Sequence, residues 1–204
     1  MNILAVDATS ERGGVAIRSA GKALAEVSRH APDGFAHVLF SLIEEALATA
    51  NLKLSDIDCF AAASGPGSFT GVRVGLSAVK GLAEALGKPA VGVSNLKAMA
   101  LSGTGALRAV ILDARRNQAY VAVYDDQLRP VAPEEVVNLS EWLANLVPVQ
   151  YEFIGLEGSG FKPAGNLAAA VAEIAERSQW SDPAALDANY VRRSDAELFW
   201  KEVG

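Results

Sequence analysis

Ile3-Leu4-Ala5-Val6 is the first apolar run of the chain, and it stops at Asp7. A short apolar run closed by a polar turn predicts a buried strand, here over 2–7. Gly14-Val15-Ala16-Ile17 and Leu24-Ala25-Glu26-Val27 read as two further strands, with Gly21 at the tight turn between them, so the chain opens on an antiparallel meander. The period then changes. Phe35, Val38, Leu39, Leu42, Ile43, Ala46, Leu47 and Ala50 keep the i, i+3, i+4 spacing of one helix face, and Glu44 and Glu45 lie off it. A strand over 57–63 follows, then the loop Ser64-Gly65-Pro66-Gly67-Ser68, then a helix over 69–86 that Gly87 ends. Residues 89–93 read as the next strand, and a short helix begins near Ser94.

Ser102-Gly103-Thr104-Gly105 marks a boundary, after which strands begin again over 107–112, 119–124 and 135–139. A short helix over 140–146, a strand over 152–155, a glycine-rich turn to Gly160 and an Ala-rich helix over 164–178 come next. The tail from Ser194 reads as a last helix that packs back on the first half. The same order of elements thus occurs twice, without a short sequence repeat. It predicts an α/β protein of two lobes, 1–103 and a shortened 104–204, each with mixed sheets flanked by helices.

Charge narrows the function classes. The net charge of −6 repels phosphate backbones, so contact with nucleic acid is expected only through a partner. No apolar run approaches the roughly 18 residues that span a bilayer, and the first residues carry no basic lead of a signal peptide, so a cytoplasmic protein is expected. Cys59, the single cysteine, lies in an apolar run and reads as a buried small residue; one cysteine makes neither a disulfide nor a cysteine zinc site. His30 and His37 are seven positions apart, the wrong spacing for two metal ligands on one helix turn, and no metal or cofactor is expected.

Three segments are candidates for chemistry or binding. The loop at 64–71 joins a strand to a helix, where free amides hold anions. It lacks the Lys-Ser/Thr of a phosphate-binding P-loop, since Val72 and Arg73 follow Gly71, and Thr70 stands where a dinucleotide fingerprint needs glycine. A structural turn and an anion site both remain open. Asp7 and Thr9 end the first strand, and Asp113 ends the equivalent strand of the second half. With Gly65, Gly67 and Ser68 they form a candidate degenerate nucleotide or anion site, or else they cap their own turns. The third segment is the helix 69–86. Val72, Leu76, Val79, Ala83 and Leu86 form its core face, whereas Gly71, Gly75, Ala78, Leu82 and Ala85 form a small apolar face, with Val74 beside it and Phe40 off the core stripe of the preceding helix. Interior glycines cost about 1 kcal/mol each against alanine, so close approach of another backbone is expected. That backbone belongs either to a partner or to this chain. In the first case Gly75→Arg abolishes pairing in a folded monomer; in the second it unfolds the chain.

At this point the residues resemble a known family. Ala63-Ser64-Gly65-Pro66-Gly67-Ser68-Phe69-Thr70-Gly71-Val72-Arg73-Val74-Gly75 is similar to the signature of bacterial TsaB (YeaZ) proteins, and the likeness runs on through Lys80-Gly81-Leu82-Ala83, Gly92-Val93-Ser94, Asp113-Ala114-Arg115 with Tyr120, and Asn189-Tyr190-Val191-Arg192. Phe35-Ala36-His37, Gln118, Ala188 and Val191 depart from the family pattern. The resemblance implies an actin/Hsp70/sugar-kinase-like (ASKHA) fold. It also implies a non-catalytic subunit that supports a TsaD-like threonylcarbamoyl transferase, together with a TsaE-like ATPase, in forming N6-threonylcarbamoyladenosine in tRNA. Pairing is then through the first-lobe helices, with Phe40, Gly71, Val74, Gly75, Ala78, Leu82 and Ala85 at the contact and with a homodimer in the partner's absence. The catalytic relative's His-x-x-x-His pair has no counterpart in 35–50. The competing readings are an active ATPase or small-molecule kinase of the same fold, favoured by Asp7 and Asp113, and a metal-dependent peptidase, which lacks ligands and a nucleophile.

Overall fold

The computed structural model describes residues 1–191, so the helix expected from Ser194 lies outside the described residues. The first half holds β1 (Asn2–Asp7), β2 (Arg12–Ser19), β3 (Lys22–His30), α1 (Leu39–Ala50), β4 (Cys59–Ala63), α2 (Phe69–Leu86), β5 (Ala90–Val93) and α3 (Asn95–Ala100). The second holds β6 (Leu107–Asp113), β7 (Gln118–Asp125), β8 (Pro130–Asn138), α4 (Leu139–Asn145), β9 (Glu152–Gly155), β10 (Lys162–Pro163) and α5 (Leu167–Glu176).

Two five-stranded sheets result, in the orders β3-β2-β1-β4-β5 and β8-β7-β6-β9-β10. In each, three strands form an antiparallel meander and two more add in parallel beside the first strand of that meander. The two halves therefore repeat one topology. Its logic is local: antiparallel neighbours need only a short turn, as at Ala20 and Gly21, both of positive φ, whereas parallel neighbours need a crossover, supplied by α1 and α2 in the first half. Between β9 and β10 the crossover is only a loop, and the second half is trimmed there.

Strand alternation divides the core. Leu4 and Val6 of β1 face α1 and α2, which lie on one side of the first sheet. Ile3 and Ala5 face the opposite side, with Cys59, Ala61 and Ala63 of β4, and are covered by Ala168, Val171, Ala172 and Ala175 of α5. The helix that covers this inner side thus comes from the second half of the chain. In return, Leu96, Met99 and Ala100 of α3 pack on Val110, Leu112 and Ile154 of the second sheet. Each half lends its last helix to the other's sheet, and Arg18 of β2 fastens the exchange through Glu176 at 2.8 Å and Glu173 at 3.5 Å on α5.

Several boundaries differ from the pattern reading. α1 starts at Leu39, not Phe35. Phe35 is buried on the predicted stripe but sits in the turn before the helix, accepting from the Leu39 amide at 2.9 Å. β8 begins at Pro130, five residues before the expected start. Pro130 and Pro133 argue against an interior strand, but β8 is the sheet's edge, where a missing donor is tolerated. β2 and β3 run longer than expected, and β3 too is an edge, its exposed outward residues polar except Leu24.

Candidate functional site

The loop after β4 is folded shut on the end of β1. Asp7 is buried, and its Oδ1 accepts from the Thr9 amide at 2.9 Å and the Thr9 hydroxyl at 2.6 Å. Asn95, at the start of α3, donates to Thr9 Oγ1 at 2.6 Å and to the Pro66 carbonyl at 2.9 Å, while its Oδ1 accepts from the Gly65 amide at 3.1 Å. The Ser68 amide is taken by the Thr9 carbonyl at 2.7 Å, and Ser68 Oγ caps α2 by accepting from Gly71 N at 3.3 Å. These loop amides, which an anion would need, already serve acceptors of the protein itself. Gly67 sits too close to the Thr9 backbone to carry a Cβ without a shift. Burial pushes the Asp7 carboxyl above the ordinary Asp range, against the downward pull of its two Thr9 bonds.

Asp113, the counterpart of Asp7 in the second sheet, is exposed and accepts from the Arg115 amide at 2.8 Å, a strand-end turn in which Arg115, Arg116 and Asn117 all have positive φ. Of the six candidate nucleotide-site residues, the structure brings Asp7, Thr9, Gly65, Gly67 and Ser68 together as one packed corner, while Asp113 caps its own turn. Among the described residues no three His, Cys, Asp or Glu side chains gather as a metal site. His30 lies 3.6 Å from Glu11 with both side chains largely exposed, and His37 is exposed in the turn before α1.

The small face of α2 divides into two parts. Gly71 and Gly75 are buried by the chain itself: a Cβ on Gly71 would overlap the Ala8 carbonyl oxygen, and one on Gly75 would touch Val6 Cγ1 at 3.7 Å and Ala8 Cβ at 3.8 Å. The close backbone that Gly71 accommodates is that of Ala8, just after β1, so of the two neighbours left open by the sequence this chain's own lies against both glycines. An α-helix resting on a sheet buries a wide apolar stripe, so the buried face of α2 takes in Gly71 and Gly75 beside Val72, Leu76, Val79 and Ala83. Val74, Ala78 and Leu82 are half-buried at the margin of that core, and Ala85 is exposed. Phe40 on α1 is 56 % exposed. Gly81 has nothing within 4 Å of its would-be Cβ.

Sequence reasoning missed a second cluster. Phe69, in the first turn of α2, stacks on Tyr190 with ring centroids 5.9 Å apart; the Arg73 guanidinium lies 3.9 Å above the Phe69 ring, and Arg73 Nε donates to Tyr190 Oη at 3.1 Å. Glu134 and Asn95 were also not singled out. Ser94 stood at the last position of a recognised block, one residue before Asn95, and nothing in a lone Glu on an edge strand marked Glu134.

Two sheets of one topology, each covered by a helix from the other half, with a strand-end Asp in both, define a two-lobed α/β protein of the actin/Hsp70/sugar-kinase-like class. Residues 27–185 match the family model described as TsaD, tRNA N6-adenosine threonylcarbamoyltransferase. The chain is 32 % identical over 151 residues to the tRNA threonylcarbamoyladenosine biosynthesis protein TsaB of Bacillus subtilis, an alignment that takes in 72 % of this chain and 66 % of that protein. It is 36 % identical over 128 residues to the TsaB of Escherichia coli, across 61 % of this chain and 55 % of that protein. The chain thus spans somewhat over half the length of these relatives. The solved structure of YeaZ from Pseudomonas aeruginosa superposes with a TM-score of 0.78 at 27 % identity, over 93 % of this chain and 99 % of that one. This chain belongs to that family, in its TsaB (YeaZ) branch.

Proposed function

We propose that this chain is a non-catalytic partner subunit: it binds a TsaD-like threonylcarbamoyl transferase and supports formation of N6-threonylcarbamoyladenosine in tRNA, with a TsaE-like ATPase as the third component. The observation that carries the proposal is the outer face of the first-lobe helices. α1 and α2 lie on one side of the first sheet, and beyond their core contacts α1 presents Phe40 and α2 presents Val74, Ala78, Leu82 and Ala85, an exposed aromatic on one helix and small and aliphatic residues on the other. Short side chains on one helix let a helical partner approach closely, and an exposed aromatic on the other offers it a strong anchor. In this proposal residues 1–103 form the lobe that carries the face and 104–204 a shortened second lobe. Alone, the chain pairs with a second copy through the same face.

The chain's own polar groups support a subunit without chemistry. α1 carries no histidine, and the one buried carboxylate of the glycine-loop corner, Asp7, spends its Oδ1 on Thr9. At a net charge of −6 the chain reaches tRNA only through its partner. The test is reconstitution. The chain mixed with a TsaD-type transferase and a TsaE-type ATPase is expected to form a stable complex that modifies tRNA, whereas the chain alone modifies none. Equal modification without this chain would overturn the proposal.

A further inference from the structure

Residues 186–190 return from the second half of the chain and lie across the glycine loop of the first. The Asn189 amide donates to the Ser64 carbonyl at 2.8 Å, and its side-chain amide reaches the Gly65 carbonyl at 3.4 Å. Two glycines make room for this crossing. A Cβ on Gly65, whose φ is +101°, would stand 3.2 Å from the Asn189 carbonyl oxygen, and a Cβ on Gly92 of β5 would stand 3.1 Å from Leu186 Cδ1. Beyond Asn189, Tyr190 closes on Phe69 and Arg73.

The crossing is tied to the second sheet by a single carboxylate. Glu134, half-buried on β8, accepts from Asn189 Nδ2 through Oε2 at 2.6 Å. Its Oε1 accepts from Tyr124 Oη of β7 at 2.6 Å and from the hydroxyl of Ser94, the residue that caps α3. Three segments therefore converge on one side chain: the second sheet, the junction where α3 leaves the first sheet, and the returning segment. Hydrogen bonds to a carboxylate are about twice as strong as neutral ones, and a group shared by three donors is felt by all three segments. Burial first, and then the bond to Glu134, push the Tyr124 phenol well above its ordinary range, so it stays a donor at every physiological pH.

We propose that residues 186–190 are a strap and that the Asn189–Glu134 bond is its latch: separation of β8 from the start of α3 and release of the Gly65–Ser68 loop are one event, because both break the same carboxylate's bonds. The proposal concerns the fold alone and stands or falls separately from the partner-subunit reading.

Amide hydrogen exchange on the full chain tests it, with Asn189→Ala, Glu134→Ala and the double variant beside the parent protein. Asn189→Ala is expected to speed exchange about ten-fold in residues 64–72 and 92–97, the loss of roughly one charge-assisted bond, and Glu134→Ala, which also removes the bonds to Tyr124 and Ser94, by at least as much, with β1 and β7 unchanged. The double variant is expected to match Glu134→Ala, because the Asn189 bond is already lost there. Faster exchange confined to 186–191 would mean that the strap peels off without opening anything. Effects that multiply in the double variant, or a rise spread evenly over β1 and β7, would equally overturn the proposal.

Discussion

Asn95 and Thr9, 86 positions apart, are joined by a 2.6 Å hydrogen bond from Nδ2 to Oγ1, and Thr9 passes that bond on to Asp7 at 2.6 Å. The relay joins the end of β1 to the start of α3 through three buried side chains. Asp7 is held there by geometry while burial opposes its charge.

Asp7→Asn is therefore expected to leave the fold intact and to raise stability at neutral pH by about 1 kcal/mol or more, because the amide keeps an oxygen for Thr9 and removes a desolvated charge. The sign follows from linkage. A carboxyl whose folded pKa lies above its unfolded 3.8 costs stability above the folded value, and the cost fades as pH falls from there to 3.8. Melting curves of parent and variant should thus converge on acidification. A variant less stable than the parent at pH 8 would show that the ionised carboxylate stabilises the corner.

Glu152 has the opposite linkage. Its bond to Lys162 at 2.5 Å comes first, then the amides of Gly105 and Thr104 at 2.6 Å each, and together they hold its carboxyl down at about 2. Stability from this group is present above pH 4.5 and is lost as pH falls from there toward 2. Glu152→Gln should flatten the acid limb of the stability curve in that window and loosen the Gly103–Gly105 connection between the halves. An unchanged acid limb would contradict it.

The glycines of α2 separate by environment. Gly81→Ala meets nothing within 4 Å, and Gly75→Ala meets Val6 and Ala8 at ordinary contact distance, so each should gain up to about 1 kcal/mol from helix propensity. Gly71→Ala drives a methyl into the Ala8 carbonyl and should lose about 1–3 kcal/mol or more. Denaturant titration of the three variants checks the order. Gly75→Arg, at a buried position, is expected to unfold the chain rather than yield a folded monomer that cannot pair.

The elements were legible where a pattern was continuous. The 3.6-residue stripe from Leu39 to Ala50 and Gly87 at the end of α2 are local chemistry, and the structure follows them. Burial on α2 was not legible from spacing, because Gly71 and Gly75 look the same whether the neighbouring backbone is a strand of the same chain or another molecule. The exchange of α3 and α5 between sheets left no trace either, since an Ala-rich helix carries no label of the sheet that it covers. Glu134 was invisible for a related reason: its three partners, Ser94, Tyr124 and Asn189, come together only in the folded chain.

Phe40 offers the most direct test of the partner-subunit account. It is 56 % exposed on α1, so Phe40→Ala should leave the melting temperature of the isolated chain nearly unchanged. Calorimetric titration with a TsaD-type transferase is the decisive measurement. An aromatic anchor at an interface contributes about 2 kcal/mol or more, so the variant should bind roughly 30-fold more weakly than the parent, and tRNA modification by the mixture should fall with it. Parent and variant chains that bind with the same affinity would contradict the assignment of this face, and a parent chain that shows no binding would contradict the account itself.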